Sequence, residues 1–302
     1  MAADRWNLDG RTVLITGAAR GIGAESARRL AARGANVSLV GLEPDELARV
    51  AGQCGSQAVC HQADVRDPQA LEAAVEATVE RFGGVDVLIA NAGIGPVGTV
   101  RSIDPAAFEA TIEVNLLGVW RTIRACLPQL IERRGYVLVV ASGSAASHAP
   151  GMAAYAASKA GVEALANCLR EEVRHLGVDV GCAYFLFVDT DLVAGADAHP
   201  ALAGLVERRP GWLRKKHSLA KVAETITRGV EERRTWVVVP GWFRAVLLLR
   251  GPLQRLVRAP RDAVTELDER FQRDVTERGA EAASAPVGPG GRAASERALD
   301  RR

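Results

Sequence analysis

Residues 12–23 read TVLITGAARGIG, and this stretch decides the fold. Its first five residues are an apolar, β-branched run of strand length, and a turn containing three glycines follows before a helical pattern begins. Glycines at such a junction permit positive φ angles and let backbone N–H groups approach a phosphate at the positive end of a helix. The stretch therefore predicts a strand, a phosphate-binding turn and a helix in succession.

Short apolar runs alternate with longer helical patterns along most of the chain. A strand that helices cover on both faces is apolar throughout, so these runs indicate a parallel sheet. The alternation predicts an α/β fold, a doubly wound parallel sheet of about seven strands of the Rossmann type. The predicted strands are Thr12–Thr16, Val37–Val40, Gln57–Gln62, Val85–Ala90, Tyr136–Ala141, Val178–Tyr184 and Trp236–Val239, and the predicted helices are Ile22–Arg33, Pro68–Phe82, Pro105–Arg134, Met152–Leu176 and Leu219–Glu232.

The chain divides by pattern into three parts. Residues 1–240 are expected to form one dinucleotide-binding and catalytic domain, with residues 189–217 after the sixth strand as a lid over the ligand. Residues 241–280 read as an amphipathic and charged helical extension. Residues 281–302 are rich in Ala, Gly, Pro, Ser and Arg, a composition that predicts disorder because it offers little apolar area to bury.

Composition excludes several classes of function. The chain has 302 residues and a net charge of only +2, which gives no electrostatic case for binding nucleic acid. Its five cysteines form no C-x-x-C pair and have no histidine partners at metal-ligand spacing, so reduced thiols and no metal site are expected. No apolar run reaches the length of a membrane span, and the first residues lack a secretory profile. The expected location is the cytoplasm.

Tyr155 and Lys159 lie four residues apart in a predicted helix and therefore share a face. A phenol has a pKa of about 10, too high for a base near neutrality, and a neighbouring ammonium group lowers that pKa. Ser142 stands at the end of a predicted strand, where its hydroxyl can hold a substrate oxygen. A serine hydrolase is excluded because Ser142 lacks the G-x-S-x-G turn and His148 has no evident acid partner.

The loop TGAARGIG resembles the TGxxxGxG cofactor loop of classical short-chain dehydrogenases/reductases, and further motifs follow in that family's order. These are Asp64-Val65 after the third strand, Asn91-Ala92-Gly93 after the fourth, Asn115 in the next helix, Ser142 after the fifth strand and Tyr155-x-x-x-Lys159. The resemblance covers about residues 8–240. It implies an NAD(P)-dependent oxidoreductase that interconverts an alcohol and a ketone or aldehyde by hydride transfer.

The resemblance also implies a role for each motif residue. Ser142 would orient the substrate, Tyr155 would transfer the proton, Lys159 would lower the pKa of the tyrosine and bind ribose, and Asn115 would hold a water. Asp64 and Val65 would meet the adenine, and Val188 and Thr190 the nicotinamide carboxamide. The implied cofactor-binding residues are Thr16, Gly17, Arg20, Gly21, Ile22, Gly23, Asp64, Val65, Asn91, Ala92, Gly93, Tyr155, Lys159, Val188 and Thr190.

Two positions depart from the family pattern. The acid that would hold the 2′-hydroxyl of NAD falls on Gly41, with Glu43 two residues further on, whereas Arg20 could hold a 2′-phosphate. We therefore expect NADP to be favoured over NAD. The family's Pro-Gly after the sixth strand is replaced by Phe185-Leu186, which either narrows an apolar substrate pocket or packs under the lid. The expected substrate is a small, apolar alcohol or carbonyl compound.

Residues 242–258 carry the pattern of an amphipathic helix interrupted by Gly251-Pro252. The predicted apolar face holds Trp242, Phe243, Val246, Leu249, Leu253, Leu256 and Val257, with Arg244, Arg255 and Arg258 opposite. Such a helix either docks on its own domain or a partner subunit, or lies on a membrane surface. We favour docking, and we expect a homo-oligomer, either a dimer or a tetramer.

A non-catalytic nucleotide sensor or scaffold is the alternative from another functional class, because a fold does not fix a function. The joint presence of Ser142, Tyr155 and Lys159 favours the enzyme. An epimerase or dehydratase of the extended branch of the family is disfavoured by the TGxxxGxG spacing and by the short chain after the sixth strand.

Overall fold

The computed structural model describes residues 5–204, 211–256 and 259–299. A seven-stranded parallel sheet, with strand order β3-β2-β1-β4-β5-β6-β7, lies at its centre. The strands are β1 (Thr12–Thr16), β2 (Asn36–Gly41), β3 (Ala58–Gln62), β4 (Val87–Ala90), β5 (Tyr136–Val140), β6 (Asp179–Phe185) and β7 (Trp236–Val239). The order reverses between β1 and β4, so a crevice opens there at the carboxyl ends of the strands. The predicted doubly wound fold is confirmed.

Helices cover both faces of the sheet and continue beyond it. In the described part of the chain they are α1 (Gly21–Ala31), α2 (Pro44–Cys54), α3 (Pro68–Phe82), α4 (Pro105–Ile112), α5 (Gly118–Glu132), α6 (Ala153–Val173), α7 (Asp191–Asp197), α8 (Gly211–Arg214), α9 (Leu219–Glu231), α10 (Phe243–Leu256), α11 (Arg261–Arg278), α12 (Ala280–Ala283) and α13 (Pro289–Leu299). None of the helices in these ranges is long and apolar enough to cross a membrane.

The apolar strands build one core on each face of the sheet. Leu14 of β1 packs with Leu88 and Val137 in one apolar cluster, while its neighbours Val13 and Ile15 belong to the cluster on the other face. All five residues of β1 are buried, and each large apolar side chain gains about 1.5–3 kcal/mol on burial. This two-sided burial fixes the strand whose end carries the glycine turn.

The predicted helix over Pro105–Arg134 is wrong in its middle. One turn of π-helix over Glu113–Leu117 separates α4 from α5, and π-turns inside helices are frequent at functional sites. The turn carries Asn115. The sequence analysis also gave no helix for residues 44–54, although Pro44 in its first turn and the two acids that follow are helix-start signals.

The stretch 189–217, predicted as an irregular lid, contains the short helix α7 after β6. Thr190 caps α7 by accepting a hydrogen bond from the Val193 N–H at 3.3 Å. The lid returns to the sheet where the His217 N–H donates to the Phe187 carbonyl at 2.8 Å. Residues 205–210 of this stretch lie outside the described residues.

The buried face of α10 matches the predicted one only in part, because Phe243 and Val246 of that face pack into the core but Leu249 does not. Phe243 is only 2% exposed and Leu247 is also buried, whereas Trp242 is 47% exposed and Leu249 is largely exposed. One turn beyond Leu247, the Arg250 Nη1 donates to both carboxylate oxygens of Glu163 in α6 at 2.7 Å. The side chains of residues 253–258, which complete the predicted face, lie outside the description.

The C-terminal residues 281–302, predicted to be disordered, form helices α12 and α13 up to Leu299. Ala294 is 5% exposed, and Ala283 and Ser284 are buried as well. The Ser284 Oγ accepts a hydrogen bond from the Asp104 N–H at 2.9 Å. Each small residue buries little area, so the composition of this segment does not reveal that it packs against a complementary surface of the domain. Residues 300–302 lie outside the described ranges.

Candidate active site

The turn after β1 has no room for side chains at Gly17 and Gly23. Gly17 and Gly21 have φ angles of +65° and +56°. A Cβ atom at Gly23 would lie 2.3 Å from the Gly17 carbonyl oxygen, and one at Gly17 would lie 2.9 Å from the Ala92 Cα. The backbone therefore forms a bare cradle at the positive end of α1. This shape and polarity fit the pyrophosphate of a dinucleotide cofactor.

Thr16 and Asn91 join the ends of β1 and β4 beneath the cradle. The Thr16 Oγ1 accepts from the Asn91 and Ala92 N–H groups at 3.1 and 3.2 Å. The Asn91 Nδ2 donates to the carbonyls of Thr16 and Gly17 at 3.0 and 3.2 Å. These bonds hold the two sides of the crevice in register, so both residues support the site from behind.

Asn115 binds the loop after β4 through its side-chain amide. The Asn115 Oδ1 accepts from the Ile94 N–H at 2.8 Å, while Nδ2 donates to the Ile94 carbonyl at 2.8 Å and to the Ser158 Oγ at 3.0 Å. Ser158 in turn donates to the Tyr155 carbonyl at 2.8 Å. The π-turn thus ties the loop to the helix that carries the candidate base. Sequence reasoning missed Ser158, although its place between Tyr155 and Lys159 is a signal.

Ser142, Tyr155 and Lys159 meet at the carboxyl ends of β5 and β6. Ser142 and Tyr155 line the same cleft, and the Ser142 hydroxyl acts on the Tyr155 phenol to lower its pKa. The Lys159 ammonium lies 5.7 Å from the centre of the Tyr155 ring and donates to the Val140 carbonyl at 2.8 Å. Only 3% of the Lys159 surface is exposed. The structure therefore brings together the three residues that the sequence places in one constellation.

Burial acts on both titratable groups of this constellation. It raises the pKa of the Tyr155 phenol, and the hydrogen bond with Ser142 acts in the opposite direction. Burial lowers the pKa of Lys159 to about 8. Burying an ammonium group without a hydrogen-bond acceptor or an opposite charge nearby destabilises the charged form. The Val140 carbonyl offsets part of this cost by accepting a hydrogen bond from Lys159.

The lowered pKa of Lys159 predicts a pH-dependent stability. Between its folded value of about 8 and its ordinary value of 10.5, the unfolded chain binds more protons, so the free energy of unfolding rises with pH. In urea titrations between pH 8 and 10, the free energy of unfolding of the wild type should rise, relative to that of Lys159→Met, by about 1.4 kcal/mol per pH unit. Lys221→Met, at an exposed position, should follow the wild type. A constant difference between wild type and Lys159→Met would contradict the burial of a titrating ammonium.

Charged side chains surround the outer part of the crevice. The Arg20 Nε and Nη2 donate to the Glu43 Oε1 at 3.0 and 2.6 Å, and Nη1 lies 3.6 Å from the Asp191 Oδ2. At the end of β3, the Asp64 carboxylate accepts from the Arg66 Nε and Nη2 at 3.0 and 2.7 Å. The basic groups near the cradle are therefore paired with acids.

A single cleft of about 510 Å³ connects the glycine cradle with the Ser142–Tyr155 pair. Of the residues predicted to form the site, those that line this cleft are Gly17, Arg20, Gly21, Ile22, Asp64, Val65, Asn91, Ala92, Gly93, Ser142, Tyr155, Lys159, Val188 and Thr190. Thr16, Gly23 and Asn115 lie behind its wall, where they support the cradle and the loops.

Apolar side chains form the end of the cleft beyond Tyr155. Leu186 packs on Gly143, where a Cβ atom would lie 2.2 Å from the Leu186 Cδ2. Leu192 of α7 covers Gly95 beside the Tyr155 ring, with its Cδ1 3.4 Å from the Cβ position of that glycine. Phe185 is buried in the sheet core and also borders the cleft. The replacement of Pro-Gly by Phe185-Leu186 thus makes this wall bulky and apolar.

Val188 and Thr190 connect this wall to the cradle. Val188 is buried and pairs with His217 across an isolated parallel bridge. The Thr190 Cγ2 lies 3.9 Å from the Cβ position of Gly21. The segment after β6 therefore reaches the glycine turn.

Comparison with known proteins agrees with this geometry. The family model described as short chain dehydrogenase matches residues 11–201. An uncharacterized NAD-dependent oxidoreductase of Mycobacterium tuberculosis is 33% identical over 64% of this chain and 77% of its own length. The 3-oxoacyl-(acyl-carrier-protein) reductase FabG of Vibrio cholerae is 31% identical over 71% of this chain and 88% of its own length.

Among solved structures, a short-chain dehydrogenase/reductase from Burkholderia phymatum in complex with NAD superimposes with a TM-score of 0.73 at 26% identity, covering 84% of this chain and 98% of that one. The chain belongs to the short-chain dehydrogenase family, and the protein is an oxidoreductase.

Proposed function

We propose that the protein interconverts a secondary alcohol and a ketone, or a primary alcohol and an aldehyde, with Tyr155 as the general acid/base. One observation carries this proposal. The Ser142–Tyr155 hydroxyl pair, with Lys159 behind it, lies at one end of a cleft whose other end is a phosphate-sized cradle. A nucleotide sensor needs the cradle but has no use for the hydroxyl pair.

A nicotinamide cofactor bound in the cleft supplies or accepts the hydride. In the reducing direction, the substrate carbonyl oxygen would accept hydrogen bonds from the Ser142 and Tyr155 hydroxyls, and the Tyr155 Oη–H would pass its proton to that oxygen. The Lys159 ammonium stabilises the phenolate that results. In the oxidising direction the same phenolate would remove the proton of the alcohol. Asn115 and Ser158 hold the backbone around these groups in place.

The substrate end of the cleft supports an apolar substrate. Leu186 and Leu192 border the Ser142–Tyr155 pair, and Met152 and Phe187 line the cleft nearby. Apolar walls with a few convergent polar groups are typical of small-molecule sites. We therefore propose an apolar alcohol or carbonyl compound whose single polar group meets the two hydroxyls.

A substrate screen tests the proposal. A panel of apolar alcohols and ketones is offered with NAD(H) and NADP(H), and the absorbance of the reduced nicotinamide is followed. Turnover of at least one apolar pair is expected, with no such activity in Tyr155→Phe. Tight binding of a dinucleotide by calorimetry, without turnover of any member of a broad panel, would favour the sensor alternative.

We further propose NAD as the preferred cofactor, which reverses the preference expected from sequence. That preference for NADP rests on a free Arg20, but the Arg20 guanidinium is paired with Glu43 and Asp191. These two carboxylates disfavour a 2′-phosphate by like-charge repulsion, while the Glu43 carboxylate can accept a hydrogen bond from a 2′-hydroxyl. The NAD named for the Mycobacterium relative and the Burkholderia structure supports the same choice.

Glu43→Gln should shift the preference toward NADP. The change removes one negative charge and releases Arg20, whose charge-assisted bond to a phosphate is worth about 1.5–3 kcal/mol. We expect the ratio of the NADPH to the NADH dissociation constant, measured by calorimetry, to fall by roughly tenfold or more. Glu46→Gln is the control, because Glu46 lies three residues further along, in the first turn of α2, and pairs with Arg49 at 2.7 Å. Tighter NADPH than NADH binding by the wild type would contradict the proposal.

The predictions about assembly and location stay predictions. Leu248 of α10 is 71% exposed, and Leu249 of the same helix, Trp242 just before it and Trp120 of α5 also present apolar surface to solvent. Sedimentation of the full chain tests for the expected dimer or tetramer. Flotation with anionic liposomes tests the membrane alternative for residues 242–258. Two further predictions also remain proposals. These are the division into a 1–240 domain and a C-terminal extension, and the cytoplasmic location.

A further inference from the structure

The chain beyond α11 returns to the cofactor cleft. Val287, Gly288, Gly290, Gly291 and Ala294 line the same cleft as the glycine cradle. We call residues 284–294 the C-terminal strap. The strap lies outside the residues 11–201 that match the family, so the family resemblance assigns it no role.

Polar contacts anchor the strap at both ends. At its start, the Ser284 Oγ accepts from the Asp104 N–H at 2.9 Å, and the adjacent Ala283 carbonyl lies 3.0 Å from the His199 Nε2. At its end, the Ala294 carbonyl accepts from the Arg66 Nη2 at 3.2 Å. Ala294 is buried in the same apolar cluster as Val65. The strap therefore spans the cleft from the lid side to the end of β3.

Between these anchors the strap packs on the lid. A Cβ atom at Gly195 of α7 would lie 2.8 Å from the Val287 Cβ, and one at Gly288 would lie 3.1 Å from the Asp191 carbonyl oxygen. Further along, the Cβ position of Gly290 lies 3.8 Å from the Arg20 Cδ. The strap touches α7, Arg20 and Arg66, and the two arginines follow β1 and β3, on the adenosine side of the cleft.

We propose that the C-terminal strap is a wall of the dinucleotide site, closing over the adenosine half of the bound cofactor. The inference rests on the proposed cofactor-dependent function. Apart from Val287, the strap residues that line the cleft are three glycines and one alanine, so the strap covers the cleft without filling it, and a cleft of about 510 Å³ remains beneath. Because the strap packs against α7, the strap and α7 form one cover. A cofactor held under this cover leaves only when the cover opens.

Removal of the strap tests the proposal on the protein itself. The full chain is compared with a chain ending at Gly279, and NADH affinity is measured by fluorescence titration and the dissociation rate by stopped flow. The truncated protein should bind NADH about tenfold more weakly, mostly through faster dissociation, which is where affinity differences between related complexes usually lie. Unchanged NADH affinity would overturn the proposal. Tighter binding by the truncated chain would also overturn it, because the strap would then block the cofactor site instead of forming its wall.

A point substitution keeps the test valid if the truncated chain does not fold. Gly290 lines the cleft, and its Cβ position is in ordinary contact with the Arg20 side chain, so Gly290→Leu should weaken NADH binding about tenfold by occupying the cleft. Gly52→Leu is the control, since Gly52 is also a helical glycine, its Cβ position has no atom within 4 Å, and it lies away from the cleft. Equal NADH affinities for the two variants would overturn the assignment of the strap to the site.

The two levels of the proposal fail differently. A full chain that binds neither NADH nor NADPH would overturn the proposed function together with the strap. If the full chain, the truncated chain and Gly290→Leu all bind NADH equally well, the strap proposal alone is overturned.

Discussion

Tyr155→Phe should lower kcat by about 10²–10⁴-fold, the usual contribution of a positioned acid/base. The substitution removes the phenolic hydroxyl that lines the cleft beside Ser142 and is proposed to exchange a proton with the substrate oxygen. The ring remains, so its contact with Gly95 and the shape of the cleft are preserved. Steady-state kinetics with a substrate found in the screen, together with NADH binding by calorimetry, measure the effect. Cofactor affinity should change little.

Tyr136→Phe provides the control for the loss of a tyrosine hydroxyl. The Tyr136 hydroxyl donates to the Arg234 carbonyl at 2.6 Å and lies outside the cleft. Its loss removes this partly buried hydrogen bond and should cost about 0.5–1.5 kcal/mol of stability, with kcat unchanged. Near-normal turnover by Tyr155→Phe, with Tyr136→Phe equally active, would exclude Tyr155 as the acid/base.

Phe243→Ala should lower the free energy of unfolding by about 3–5 kcal/mol, since the loss of a buried phenyl ring leaves a cavity in addition to the lost transfer energy. Phe243 is fully enclosed at the start of α10, in the cluster that contains Tyr184 and Val238. Urea denaturation measures the change. The result would show that the extension after β7 docks on the domain.

Trp242→Ala is the neighbouring control. Trp242 is larger than Phe243 but exposed, so its truncation should change stability by less than about 1 kcal/mol. Similar losses for both variants would mean that α10 does not bury the face seen in the structure. A larger loss of unfolding free energy for Trp242→Ala than for Phe243→Ala would mean that Trp242 is buried, as the sequence predicts.

Elements with strong local signals were predicted well. Strand β1 has the predicted bounds because both of its faces are apolar. Helix α3 also matches, since Asp67 caps its start by accepting from the Ala70 N–H and Gly83 ends it at a φ of +82°. The π-turn at Asn115 was missed because its cause is tertiary. The Asn115 amide binds the backbone of Ile94, a residue on another segment, and no local pattern records that contact.

Much of the candidate site follows from residue types and spacing, but the pairing of charges does not. The sequence shows Arg20 and Glu43, yet only the fold shows that the two are bonded to each other. Likewise, the three-to-four-residue spacing of α10 is compatible with two adjacent faces, and Arg250 selects one by reaching Glu163. The strap could not be predicted, because the small residues of its cleft-facing side carry no amphipathic pattern.

The two ends of the chain differ in their distance from the chemistry. Trp6 lies between the guanidinium groups of Arg11 and Arg233, which precede β1 and β7, at the amino ends of the strands. Helix α13, in contrast, borders the cleft at the carboxyl ends. An affinity tag or a solid support joined at the Trp6 edge would leave cofactor exchange free. The same attachment beyond α13 would hinder movement of the strap that covers the cleft. Immobilised forms of the enzyme therefore need their linker near Trp6, at the amino ends of the strands.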